Sequence, residues 1–125
     1  MTPALTPALG EAVARLAEAL STPASSDLLR AGCIQYFEFC FELAWKAIKS
    51  EAADQGVECN SPKACLRQAY TLGWIDDEEV WLAMLAARNQ MSHTYSSKDA
   101  LAVYDQLAAF LTALAALHET LRSLD

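Results

Sequence analysis

Basic side chains are scarce. Nine Lys and Arg stand against sixteen Asp and Glu, a net charge of −7. That balance excludes broad electrostatic binding to nucleic acid, where affinity comes largely from cations neutralising phosphates. It leaves room for a local cleft built around one arginine. Long apolar runs are also missing. The most apolar segment, residues 100–117, is broken by Tyr104, Asp105, Gln106 and Thr112 and is too polar to span lipid. The opening MTPALTPALGEAVARL has neither the basic start nor the apolar run of a signal peptide, so the cytoplasm is the expected location. Glycine and proline number four each, and after Ser25 almost nothing interrupts a helix. The four cysteines, Cys33, Cys40, Cys59 and Cys65, form no C-x-x-C pair, and His93 and His118 lie far from them in sequence. This argues against zinc and predicts free, buried thiols. No metal and no cofactor is expected.

What is present is alanine, leucine and a helical rhythm. Hydrophobic residues make up 54% of 125 residues, enough for the core of one domain. The expectation is a single all-α domain over 1–125, an up-and-down bundle of about five helices around a four-helix core. Residues 1–25 form its N-terminal helix and turn. Helix one is predicted from Pro7 to Leu20 with Thr6 as cap. Helix two runs from about Asp27 to Gln55, with Ile34, Phe37, Phe41, Ala44, Trp45 and Ile48 on its buried side. Its charged stripe is Glu38, Glu42, Lys46 and Lys49, where Glu42 and Lys46 have the favourable i,i+4 order. Gly56 ends it.

Ser61, Pro62 and Gly73 bound helix three. Asp76 is the expected cap of helix four, with Glu79 three residues on. Helix five is predicted from Ser96 or Ser97 nearly to the end. Tyr104, Leu107, Leu111, Leu114 and Leu121 form one stripe, and Val103, Phe110, Leu117 and Leu124 a second. Two stripes exceed what one neighbouring helix covers, which predicts dimerisation through helix surfaces. His118 falls on this helix as a partly buried core or interface residue. Trp45, Trp74 and Trp81 read as core anchors.

Chemistry concentrates in RNQMSHTY, residues 88–95. Arg88 falls where the apolar stripe of Trp81, Met84 and Leu85 predicts an apolar side chain. A guanidinium there must find a carboxylate or face an interface, and Glu38 and Glu42 are the obvious candidates. Asn89 and His93 are i,i+4 neighbours. Arg88 and His93 stand roughly 140° apart on a regular helix. They converge only if the helix unwinds near Ser92 or if two chains each contribute a copy. Histidine moves protons near neutral pH, and arginine stabilises a phosphorane-like anion. Together they suffice for metal-independent RNA cleavage by a 2′-hydroxyl. The Tyr95 hydroxyl is an acceptor for a transferred group or a hydrogen-bonding partner for a ligand.

The blocks FEFCFELAWKAIK, SPKACLRQAYTLGWI and VWLAMLAARNQMSHTY, followed by an amphipathic helix, resemble the nucleotidyltransferase substrate-binding protein family of the HEPN superfamily. The resemblance covers nearly everything after Leu28. It implies a homodimer of helical bundles and a separate minimal nucleotidyltransferase (MNT) as partner. The chain lacks that enzyme's Gly-Ser loop and metal-holding aspartates. In active HEPN proteins, Arg with a following polar residue and a His four to six residues on form a ribonuclease site across the dimer. Arg88, Asn89 and His93 match that pattern. The resemblance further implies a toxin–antitoxin pair, silenced when the partner adds AMP to the tyrosine at position 95. Two other readings remain open. One is a non-catalytic subunit that binds a nucleotide or acceptor substrate. The other is a helical interaction module in which Arg88 only pairs with Glu38 or Glu42.

Overall fold

The computed structural model describes residues 5–93 and 96–124, with His93 defined by its backbone alone. Tyr95 therefore lies outside the described residues. Among those residues there are six helices and no strand. They are α1 (Leu5–Leu20), α2 (Asp27–Asp54), α3 (Pro62–Thr71), α4 (Glu78–His93), α5 (Ser97–Tyr104) and α6 (Leu107–Ser123).

Local chemistry sets most boundaries. The hydroxyls of Ser26, Ser61 and Ser96 accept the backbone N–H groups of Leu29, Ala64 and Asp99, capping α2, α3 and α5. Asp77 caps α4 by accepting from Val80 N–H at 3.2 Å, one residue later than the expected Asp76. α1 begins at Leu5, ahead of the expected start, and accommodates Pro7 in its first turn. Gly56 and Gly73 take left-handed φ values of 79° and 80°. Each closes a reciprocal C-terminal turn: Val57 and Gly56 donate to Ala52 and Ala53, and Trp74 and Gly73 donate to Ala69 and Tyr70.

The expected last helix is in fact two, bent by 50° at Asp105–Gln106. α5 covers α2, whereas α6 packs on α1, α2 and α4, and one straight rod cannot serve both directions. The hydroxyl of Tyr104 accepts the N–H of Ala24 at 2.9 Å, tying the end of α5 to the α1–α2 connection. No single helix is long and apolar enough to cross a membrane.

α2 is the central element and touches every other helix. Phe37 stacks on Phe110 of α6 with centroids 5.2 Å apart, and Phe41, Ile48, Trp81 and Met84 are buried in the same core. Most of both stripes of the expected helix five is consumed here. Val103, Leu107, Phe110, Leu114, Leu117 and Leu121 are all buried within one chain. The reason given for dimerisation from that helix is thus overturned. His118 lies against Gly10 of α1, where an added Cβ would stand 2.5 Å from its Nε2. Glycine is needed there for close approach of the two helices.

The expectation of four free thiols is corrected. Cys59 and Cys65 form a disulfide with Cα atoms 5.1 Å apart, clasping the α2–α3 loop to the first turn of α3. Cys33 and Cys40 are free and buried. Burial pushes the Cys40 thiol up to about 12 and raises that of Cys33.

Candidate functional site

α2 and α4 run antiparallel, so Glu42 faces Arg88, while Ile34 and Gln35, about two turns earlier, flank Met91. Glu42 Oε2 lies 2.9 Å from Arg88 Nη2. The N–H is not aligned on that oxygen, so the contact is a charge pair and not a formed hydrogen bond. Glu42 Oε1 accepts the Trp45 indole N–H at 3.2 Å. Arg88 Nη1 donates to Asn89 Oδ1 at 3.1 Å. The guanidinium is therefore held from two sides, and its carboxylate from a third. Glu42 turns to Arg88 and Trp45, and not to Lys46 as helix spacing had suggested.

Glu38 sits in the same field. Burial raises its carboxyl above the ordinary range. Arg88 lowers it in part, and the nearby Glu42 charge raises it again. Ala31, Ile34, Gln35, Glu38 and Met91 line a groove of about 140 Å³ beside it. Ser92 donates to the Asn89 carbonyl at 2.9 Å. α4 continues through Ser92 to His93, so the helix does not unwind there. On this unbroken helix Arg88 and His93 of one chain stand on different faces.

Arg88 and Glu42 keep 30% and 34% of their side-chain surface in water. Such a pair contributes at most about 1 kcal/mol, well short of a buried bridge. A partly exposed arginine with fixed orientation is a poor stabiliser and a usable anion contact. Glu42 and Glu38 were legible from the sequence as partners or neighbours of Arg88. Trp45 was read as a core anchor; it packs against the core and its indole N–H also orients Glu42. Its position three residues on, on the same helix face, was the available signal.

Comparison with known proteins places the chain in a family. A family model described as nucleotidyltransferase substrate binding protein like matches residues 7–123. The chain belongs to that family. A probable ribonuclease HepT from Haemophilus influenzae is 39% identical over 101 residues, spanning 77% of this chain and 69% of the relative. A solved Haemophilus influenzae structure, described as revealing the fold of a substrate binding domain of a nucleotidyltransferase, matches with a TM-score of 0.83 and 32% identity. That match covers 94% of this chain and 98% of the other. The crystal structure of a Thermus thermophilus protein matches with a TM-score of 0.85 and 29% identity, over 91% and 98% of the two chains. The nucleotidyltransferase substrate-binding family thus accounts for the all-helical fold and for membership of a partner-subunit group.

Proposed function

We propose that this chain is the RNA-cleaving, toxin-like half of a cytoplasmic pair with a minimal nucleotidyltransferase, acting as a homodimer. The observation that carries the reading is Arg88. It is one-third exposed, aimed by Glu42 and Asn89, and five residues ahead of His93 on one unbroken helix. The continuity of α4 through Ser92 favours a site shared between two copies. The name of the Haemophilus relative, a probable ribonuclease, supports the same reading.

In the proposed reaction the 2′-oxygen of RNA attacks the adjacent phosphorus as His93 takes its proton. Arg88 stabilises the phosphorane-like anion. The bond to the 5′-oxygen breaks, that oxygen receives a proton, and a 2′,3′-cyclic phosphate and a 5′-hydroxyl result. No metal is required. Silencing follows when the Tyr95 hydroxyl attacks the α-phosphorus of ATP on the partner enzyme and pyrophosphate leaves.

The family description favours a second reading, a non-catalytic subunit that presents a nucleotide or acceptor to the transferase. One experiment separates the two. Purified wild type and His93→Ala are incubated with RNA in excess chelator, with intact mass confirming an unmodified Tyr95. Cleavage by wild type alone is the expected result. Cleavage by neither assigns the chain to the binding role.

A further inference from the structure

α3 buries Cys65, Leu66 and Ala69 on its inner side. On its outer side Lys63, Arg67 and Tyr70 stand exposed within an arc of roughly 60°. The exposed cations of α1 and α6 are matched within their own helices: Arg15 faces Glu18, and Arg122 is held by Glu119. Lys63 and Arg67 have no carboxylate within ion-pair reach among the described residues. The sequence explains why. No Asp or Glu occurs between Glu58 and Asp76, and Glu58 accepts from the Asn60 amide. Tyr70 is 50% exposed, and its ring meets no other aromatic ring among the described residues. Ser61, Lys63, Ala64 and Arg67 border an open hollow of about 290 Å³.

We infer that the outer face of α3 is a docking surface for single-stranded RNA, with phosphates on Lys63 and Arg67 and a base stacked on Tyr70. Charge selects the occupant. RNA is a polyanion, and this face offers two free cations with no carboxylate of its own helix to repel it. The exposed ring selects the single strand, because only an unpaired, unstacked base can lay its face on an aromatic side chain. The spacing suits both. Lys63 and Arg67 are one turn apart, about 6 Å between their Cβ atoms. From Lys63 to Tyr70 the helix rises about 10 Å, the length of about three nucleotides at ~3.4 Å each.

The distribution of charge along the chain supports the same face. The whole chain carries −7, yet α3 carries only cations, and α4 is free of acid from Val80 onward, around Arg88. α3 packs on α2 and on α4, the two helices that carry Glu42 and Arg88. Phosphate and stacking contacts hold a strand without reading its bases, so this face contributes affinity and not sequence choice. The inference rests on the RNA-cleaving reading above for the identity of its ligand. It adds a second contact region to that reading, outside the Arg88 pair.

The test is binding of a fluorescent 2′-O-methyl RNA of about 16 nucleotides to the full chain, read by anisotropy from about 50 to 200 mM salt. The methyl group removes the attacking hydroxyl, so binding is measured without cleavage. Wild type is compared with Lys63→Ala/Arg67→Ala, with Tyr70→Ala, and with Arg15→Ala/Arg122→Ala, a control that loses the same two charges. All these positions are exposed, so each variant keeps its fold, and melting checks this. Expected is affinity lowered roughly 10-fold or more in both α3 variants and little changed in the control. The salt slope is expected to fall by about 1.4 in Lys63→Ala/Arg67→Ala and to hold in Tyr70→Ala. Where wild type cleaves ordinary RNA, the α3 variants are expected to raise KM and leave kcat unchanged. Absence of binding by wild type, unchanged affinity in the α3 variants, or an equal loss in the control overturns the inference. So does intact RNA affinity with lost binding of a co-expressed nucleotidyltransferase, which gives the face to that partner. Binding through α3 without any cleavage upholds the inference and defeats the nuclease reading alone. Cleavage indifferent to the α3 variants does the reverse.

Discussion

α2 and α6 are both long helices with wide apolar surfaces, and they meet different fates. α6 is the more apolar of the two, yet most of its large stripe residues, Leu107, Phe110, Leu114, Leu117 and Leu121, are buried, with Leu111 partly so. α2 carries more charge, buries Phe37, Phe41 and Ile48, and still leaves Tyr36 and Phe39 half in water. The difference lies in the neighbours. α6 is enclosed by α1, α2 and α4. α2 touches all five other helices, but they leave its outer face uncovered. Periodicity states how wide an apolar face is. It does not state how many neighbours will cover it.

The comparison breaks most visibly in the core. Leu114→Ala on α6 is expected to cost about 2–5 kcal/mol in urea unfolding, as a fully buried leucine that leaves a cavity. Phe39→Ala on α2 is expected to stay within about 0.5 kcal/mol when measured on dilute, dissociated protein. Equal losses would mean the outer face of α2 is packed within the single chain.

Two glycines sharpen the same contrast with opposite signs. Gly10→Ala drives a methyl into His118 and is expected to destabilise by about 1–3 kcal/mol, relieved when combined with His118→Ala. Gly32→Ala meets open space and is expected to stabilise the dilute chain by about 0.5–1 kcal/mol. Thermal unfolding of the four variants checks both.

The smallest effect lies on the side of α2 that faces α4. Burial raises the Glu38 carboxyl in the folded chain, so the folded state holds its proton more tightly than the unfolded state. The native state is therefore favoured while Glu38 is protonated. That advantage is lost as pH rises from the ordinary carboxylate range through the raised folded value. Glu38→Gln is expected to raise the melting temperature slightly at pH 7 and to leave it nearly unchanged at pH 4. A variant less stable than wild type at pH 7 would show that attraction to Arg88 outweighs burial.

Much of this was legible because it is local. The Ser61 cap, Pro62 at a helix start, the two left-handed glycines and the buried side of α2 all follow from chemistry within a few residues. The pairing of Arg88 with Glu42 was legible for a different reason: a charge on an apolar stripe must find an opposite charge. The misses were mostly non-local. The break at Asp105–Gln106 arises because two packing directions compete for one apolar run. The Cys59–Cys65 disulfide depends on a loop folding back on a helix, with no recognisable spacing. Trp45 was legible as core, and only its added hydrogen bond to Glu42 was missed.

The sequence by itself determined most of the helices, the material of the core and the identity of the charged residues around Arg88. These depend on side-chain period and on interactions between near neighbours in the chain. Only the tertiary structure decided which apolar faces were used up and which were left over. That division depends on how many helices surround each one, a property of the assembled bundle that no single helix encodes.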